Sequence, residues 1–92
     1  MSSERWQLET IVSILARHSQ RATYGAVGGL VNLPARSVMF GQQKSPANSF
    51  VVGARTGLPT GYSQSECHPA LKSIAVIINS STALAAWLRE HR

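Results

Sequence analysis

The sequence contains no aspartate, four glutamates and a single cysteine among its 92 residues. One cysteine excludes an internal disulfide and a multi-cysteine zinc site, and it favours a reducing compartment. Without aspartate, neither a Ser-His-Asp triad nor a pair of acid and base carboxylates is readily assembled. The histidines are isolated and lack the spacing of metal ligands. We therefore expect a protein that is not an enzyme and that uses neither a metal nor another cofactor.

Long apolar runs are also missing. The opening residues, MSSERWQ, contain no hydrophobic leader segment, and no later run approaches the roughly 20 apolar residues that cross a bilayer. We expect a soluble, cytoplasmic protein that does not associate with a membrane. A hydrophobic share of 43% over 92 residues supports one core, so we predict a single domain over residues 1–92.

Positive charge is what the sequence has in excess. Nine lysines and arginines give a formal net charge of +5, and no carboxylate lies between Glu9 and Glu66. The cations in that interval are Arg17, Arg21, Arg36, Lys44 and Arg55, with His18 beside them. An uninterrupted positive field favours a polyanionic partner, nucleic acid first. A basic soluble protein without such a partner is the alternative, because these cations do not form a dense patch.

Residues 23–41, TYGAVGGLVNLPARSVMFG, have the pattern of two short helices joined by a turn, and the interpretation of the rest of the chain depends on this segment. Thr23 is a suitable N-cap for a first helix, and Pro34 fits the first turn of a second. Arg36 and Ser37 face outward in this arrangement, and Gly41 stands where a C-cap glycine belongs. Apolar residues at helical spacing are Ala26, Val27, Leu30 and Val31 in the first helix, with Val38 and Met39 in the second. The pattern predicts a helix-turn-helix, although an ordinary αα-hairpin with a surface arginine has the same pattern.

The flanking segments predict the remaining elements. An apolar stripe predicts a helix over about residues 4–18, and Thr82 begins a last helix. The β-branched run at residues 74–78 predicts a buried strand. Residues 49–52 and 58–62 predict a short hairpin whose tip carries Arg55, where it suits a phosphate; an ordinary surface hairpin is the alternative. The predicted fold class is α+β: a small winged helix-turn-helix domain with a β-hairpin wing and a C-terminal helix.

The ordered motifs TYG, then a proline and an arginine followed by a valine, then FVV, RTG and GY resemble a known family. The resemblance is to the C-terminal winged-helix domain of the O6-alkylguanine-DNA alkyltransferases and their non-enzymatic relatives, the alkyltransferase-like proteins, and it covers about residues 8–62. It implies that Tyr24 corresponds to a tyrosine that contacts the DNA backbone and helps to rotate a nucleotide out of the helix. Arg36 resembles the arginine finger that fills the gap, and Val51 and Val52 match the paired valines of the active-site strand.

The sequence departs from this family at the nucleophile. Residues 47–50, ANSF, stand opposite the family's PCHR, so Asn48 occupies the position of the reactive cysteine. Alkyl transfer needs a thiolate acceptor, which a carboxamide cannot supply, although Asn48 could bond the edge of a base or line a pocket. The spacing from TYG to Arg36 is also about two residues shorter than in the family pattern. Cys67 lies beyond the GY motif, and the neighbouring Glu66 would oppose thiolate formation.

The leading hypothesis is a non-enzymatic, DNA-binding protein of the alkyltransferase-like type that senses altered or flipped bases. Its expected partners are double-stranded DNA and a repair protein. The predicted DNA contacts are Thr23, Tyr24, Arg36, Ser37, Lys44, Asn48 and Arg55. One alternative is a winged-helix protein-interaction module, which an exposed apolar patch around Trp6 or Phe40 would favour. Another is a thiol-dependent DNA alkyltransferase that uses Cys67.

Overall fold

In the computed structural model, which describes residues 6–39, 41–42, 44–73 and 75–91, helices pack around a small parallel sheet. The helices of the described part are α1, Leu8–His18; α2, Tyr24–Val31; and α3, Ser81–His91. The strands are β1, Arg21–Thr23; β2, Val51–Val52; and β3, Ile77–Ile78. Short 3-10 turns span Ala35–Ser37, Pro46–Asn48 and Gln64–Glu66. The fold is therefore a small α+β domain, as the coarse prediction has it.

Helices α1 and α3 supply much of the core. The predicted stripe of α1 is confirmed, because Ile11, Val12 and Leu15 are buried, and Ile14 is buried with them. The helix begins at Leu8, later than predicted: residues 4–5 lie outside the described residues, and the N-cap Gln7 is extended and not helical. The largest fully buried side chains are Phe50, Ile11, Leu15, Leu84 and Leu88. None of the helices in the described part has the length and apolar character needed to cross a membrane.

The sheet differs from the predicted hairpin. Its strand order is β2-β1-β3, and β1 pairs with both neighbours in parallel, with Ala22 opposite Val51 on one side and Ile78 on the other. The β-hairpin wing is not confirmed, since β2 pairs with β1 and not with residues 58–62, which include Pro59 and Gly61 and form no strand. A central parallel strand is covered on both faces, so all three residues of β1 are buried.

Residues 53–58 form a closed turn where the wing was predicted. The Gly53 N–H donates to the Leu58 carbonyl oxygen at 3.0 Å, and the Gly57 N–H donates to the Gly53 carbonyl oxygen at 2.8 Å. Arg55 is exposed in this turn, as its predicted place at a tip requires.

Of the two helices predicted over residues 23–41, only the first is formed. Thr23 caps α2 as predicted, and its side-chain oxygen accepts the Ala26 N–H. Helix α2 ends at Val31, and Asn32 takes a left-handed conformation with φ of 61°. The predicted second helix is a single 3-10 turn, Ala35–Ser37, and Val38, which follows it directly, is buried.

The C-terminal elements follow the prediction in part. Of the predicted buried strand at residues 74–78, only Ile77–Ile78 forms strand β3 and only Ile78 is buried; residue 74 lies outside the described residues, and Val76 is 69% exposed. Helix α3 begins one residue before Thr82. The Ser81 hydroxyl donates to the Ala26 carbonyl oxygen at 2.9 Å, which links the start of α3 to α2.

Candidate nucleic-acid interface

A cleft of about 450 Å³ lies where α2 begins, and two of the predicted DNA contacts line it. We call it the arginine cleft; its lining residues are Tyr24, Ala35, Arg36, Met39 and Thr60. Tyr24 is the first residue of α2, whereas Arg36 belongs to the 3-10 turn that follows that helix. The fold thus brings together two side chains that were chosen from separate sequence motifs.

A hydrogen bond from a distant segment orients Tyr24. Its hydroxyl oxygen accepts the Thr60 N–H at 2.8 Å, across 36 positions of sequence. The N-cap at Thr23 fixes the backbone immediately before it. Because the bond from Thr60 uses only an oxygen lone pair, the hydroxyl proton of Tyr24 can be donated to an acceptor such as a phosphate oxygen.

Arg36 is exposed at the mouth of the arginine cleft. The turn that carries it is closed by the Ser37 N–H, which donates to the Pro34 carbonyl oxygen at 2.9 Å, and it is anchored by the buried Val38. Within the described part of the chain, no carboxylate forms an ion pair with this guanidinium. Its five N–H donors can therefore serve a phosphate or a base edge. Ser37 is half-buried beside it.

A larger open pocket of about 800 Å³ adjoins the arginine cleft. We call it the proline pocket. Its apolar lining consists of Pro46, Leu58, Pro59, Tyr62, Pro69 and Leu71. Its polar lining consists of Gln64, Ser65, Cys67, His68 and Lys72. Residues 59–62 separate the two cavities, since Thr60 lines the cleft while Pro59 and Tyr62 line the pocket. An apolar wall with a few polar groups is typical of sites for small organic ligands and bases.

Tyr62 stands at this boundary and stays neutral at physiological pH. Burial raises the pKa of its phenol above the usual value, and a backbone hydrogen bond from Ser45 offsets the rise only in part. The nearby Tyr24, Glu66 and Cys67 also raise it through charge repulsion. The side chain of Tyr62 therefore adds an uncharged aromatic group to the lining of the proline pocket.

Lys44 lies beside Gly61, the residue before Tyr62. Its ammonium nitrogen lies 3.2 Å from the point that a Cβ on Gly61 would occupy. Hydrogen bonds from the Ser63 backbone and side chain lower the pKa of the Glu66 carboxyl, and the positive charge of Lys44 lowers it further. Lys44 is exposed and can contact a phosphate beside the cleft.

Two predicted contacts are not brought to this surface. The Thr23 side chain is 3% exposed and is used as the N-cap, so we do not retain Thr23 as a DNA contact. Asn48 is half-buried in a 3-10 turn that packs against α1, and it lines neither the arginine cleft nor the proline pocket.

Arg55 reaches the same end of the sheet by a different route. Because β1 and β2 are parallel, their C-terminal ends lie at the same end of the sheet. Tyr24 directly follows β1 and the 53–58 turn directly follows β2, so both segments start from that end. Arg55 is exposed in the turn that leaves this end.

Sequence reasoning missed the contribution of residues 59–62. The sequence pattern predicts that residues 58–62 form one arm of a hairpin, whereas in the structure Thr60 orients Tyr24 and Tyr62 lines the proline pocket. The GY motif was the one available signal, because it belongs to the family pattern that the sequence resembles.

Cys67 and His68 are neighbours in the chain, and both line the proline pocket. Cys67 is half-buried and free. The His68 Nδ1 accepts the Ala70 N–H at 3.0 Å, so this nitrogen is not free to take a proton from the thiol. The His68 ring also packs against Phe50, with ring centroids 5.2 Å apart. Nowhere in the described ranges do three or more potential metal ligands cluster.

Comparison of the chain with models of protein families, with curated proteins and with solved structures finds no match.

Proposed function

We propose that this protein binds double-stranded DNA without catalysing a reaction and senses altered or flipped bases, as alkyltransferase-like proteins do. The observation that carries the proposal is the arginine cleft, in which Tyr24 and Arg36 share one surface next to the proline pocket. The formal net charge of +5 supports a polyanionic partner.

Each part of this surface has a role in the proposed complex. The Arg36 guanidinium enters the base stack or bonds a base edge at the place that a rotated nucleotide leaves. The Tyr24 hydroxyl donates to a backbone phosphate, and Lys44 and Arg55 neutralise phosphates on either side. The extrahelical base enters the proline pocket, where it stacks on Tyr62 and the proline rings.

The proposal includes no catalysis, because the surface offers no activated nucleophile. By resemblance, Asn48 stands where alkyltransferases have their cysteine, and Cys67 lies next to a histidine whose Nδ1 is already bonded. The thiol-dependent alkyltransferase is therefore the weaker hypothesis. It predicts that incubation with O6-methylguanine DNA adds the mass of one methyl group at Cys67, and we expect mass spectrometry to find none.

DNA binding in this form does not depend on a hairpin wing. In the winged-helix architecture that the resemblance implies, the 53–58 turn takes the place of the wing and presents Arg55. The helix-turn-helix is then represented by α2 and the Ala35–Ser37 turn.

The protein-interaction module is less well supported. That hypothesis calls for an exposed apolar patch around Trp6 or Phe40, but Trp6 is only 8% exposed and Phe40 lies outside the described residues. A recruited repair protein remains part of the proposal, and so does a cytoplasmic location.

The proposal is tested with two matched duplexes, one plain and one containing O6-methylguanine, labelled for fluorescence anisotropy. We expect binding to both at low salt, tighter binding to the modified duplex, and a steep loss of affinity as salt rises. A 2-aminopurine placed at the target position should brighten on binding as it leaves the stack. The absence of binding to both duplexes at low salt would sink the proposal.

A further inference from the structure

Arg21 is a cation that the DNA surface does not use, because the fold buries it. It is one of the cations of the acid-free interval between Glu9 and Glu66, yet only 7% of it is accessible. It begins β1, the central strand of the sheet, and its Nη1 donates to the Gly57 carbonyl oxygen at 2.9 Å. The guanidinium thus reaches from the sheet to the 53–58 turn, 36 positions further along the chain.

The turn lies directly on the sheet at this point. Arg21 and Ile77 are paired in the register of β1 and β3, so their side chains share one face. A Cβ added to Gly57 would lie 3.1 Å from Ile77 Cδ1 and 3.2 Å from Arg21 Nη1. Gly57 therefore packs against both side chains. Its positive φ of 69° is a conformation that glycine adopts without strain.

Burial of a guanidinium needs a compensating role. Transfer of a charged group from water into a protein interior costs free energy, and an apolar side chain of similar length would cover the same face at lower cost. What an apolar side chain cannot do is donate to Gly57. The hydrogen bond fixes the end of a turn whose tip, residues 54–56, is exposed and carries Arg55.

We propose that Arg21 is a positioning residue, which holds the 53–58 turn against the sheet so that Arg55 is presented to a DNA phosphate. The inference rests on the proposed function. A turn that is already ordered loses less conformational entropy when Arg55 engages DNA, so the contact contributes more to affinity. Arg21 itself does not touch the DNA in this account.

Thr56 offers an independent way to loosen the same turn. Its hydroxyl oxygen accepts the Leu58 N–H at 3.2 Å, and its hydroxyl group donates to the Leu58 carbonyl oxygen at 3.3 Å. The side chain is exposed, so Thr56→Val removes this bracing without touching the core.

The test is a double-mutant cycle on DNA affinity, measured over a series of salt concentrations. Arg55→Ala should reduce the slope of log K against log[salt] by about 0.9 in magnitude, the value for one phosphate contact. Arg21→Met and Thr56→Val should each weaken binding in the wild-type background and have no further effect in the Arg55→Ala background. Arg21→Lys should recover part of the affinity, because an ammonium can still donate to Gly57.

Amide hydrogen exchange supplies a readout that does not involve DNA. Amide exchange at Gly53 and Gly57 should be faster in Arg21→Met than in the wild type, while exchange in α1 is unchanged. If Arg21→Met instead loses protection throughout the protein, the same comparison is made with Thr56→Val. If the wild type and Arg55→Ala differ in affinity but the Arg21 and Thr56 substitutions weaken both equally, the inference is overturned and the proposed function stands. If the wild-type protein binds neither duplex, both are overturned.

Discussion

Gly25 and Gly28 lie in the same helix, α2, and we predict that alanine has opposite effects at the two positions. A Cβ added to Gly28 would lie 2.5 Å from the Leu33 carbonyl oxygen and 3.0 Å from Val38 Cγ2, both closer than ordinary van der Waals contact. A Cβ added to Gly25 meets no atom of the described part within 4 Å. Gly28 therefore permits the close crossing of α2 and the segment that carries Arg36, whereas Gly25 has no such role.

The magnitudes follow from these distances. Alanine in place of a helical glycine adds about 0.5–1 kcal/mol to the free energy of unfolding where space is free, which is the result expected for Gly25→Ala. At Gly28 the obstacle is a backbone carbonyl that cannot rotate away, and overpacking of this kind costs about 1–3 kcal/mol. We expect Gly28→Ala to lower the free energy of unfolding by about 1–2 kcal/mol after the gain in helix propensity is subtracted.

Urea unfolding followed by circular dichroism measures both variants against the wild type. A separation of about 2 kcal/mol between the two variants corresponds to a difference in Tm of roughly 8–16 °C for a domain of this size. If Gly28→Ala stabilised the protein as much as Gly25→Ala does, the close approach of Leu33 to α2 would be refuted.

Three further predictions concern Thr23, Gly57 and Tyr62. Thr23→Ala removes the acceptor of the Ala26 N–H and should lower the free energy of unfolding by about 1 kcal/mol in the same urea assay, while Thr23→Ser retains most of the wild-type value. Gly57→Ala should lower the free energy of unfolding by about 1–2 kcal/mol, because alanine is strained at a φ of 69°. An unchanged Tm would contradict the turn geometry. Burial raises the pKa of Tyr62 in the folded protein above the usual value of about 10. The contribution of the neutral phenol to the free energy of unfolding is therefore complete below a pH of about 10 and is lost as the pH rises through the higher pKa of the folded state. Absorbance at 295 nm should show a late-titrating tyrosine that Tyr62→Phe removes, and a late component that survives in this variant would exclude Tyr62 as its source.

The sequence predicted best the elements that carry their own signal. Helices α1 and α3 have apolar stripes over 11 residues each, and the hydroxyl of Thr23 marks the start of α2. Strand β1 has only three residues, too few to show a period, and its strand character depends on β2 and β3, which come from distant parts of the chain. The burial of Arg21 also depends on a distant segment, because the carbonyl oxygen that accepts its hydrogen bond belongs to Gly57, 36 positions away. A local sequence pattern could not predict it.

The candidate site was predicted in part, and mostly through the family resemblance. Tyr24 and Arg36 were named from motifs, and the structure brings both to the arginine cleft. The roles of Thr60 and Tyr62 depend on long-range contacts that no local pattern records. Asn48 was assigned by register alone, which fixes its place in the chain but not the direction of its side chain.

The central claim is that the arginine cleft, and not net charge, binds DNA. The most direct measurement compares the affinities of Arg36→Ala and Arg17→Ala for the same duplex at one salt concentration. Both variants lose one positive charge from an exposed position, but Arg17 lies on α1 outside the cleft. The account predicts that Arg36→Ala binds about tenfold or more weakly, equivalent to ~1.4 kcal/mol, while Arg17→Ala stays within about twofold of the wild type. Equal effects of the two substitutions would contradict it.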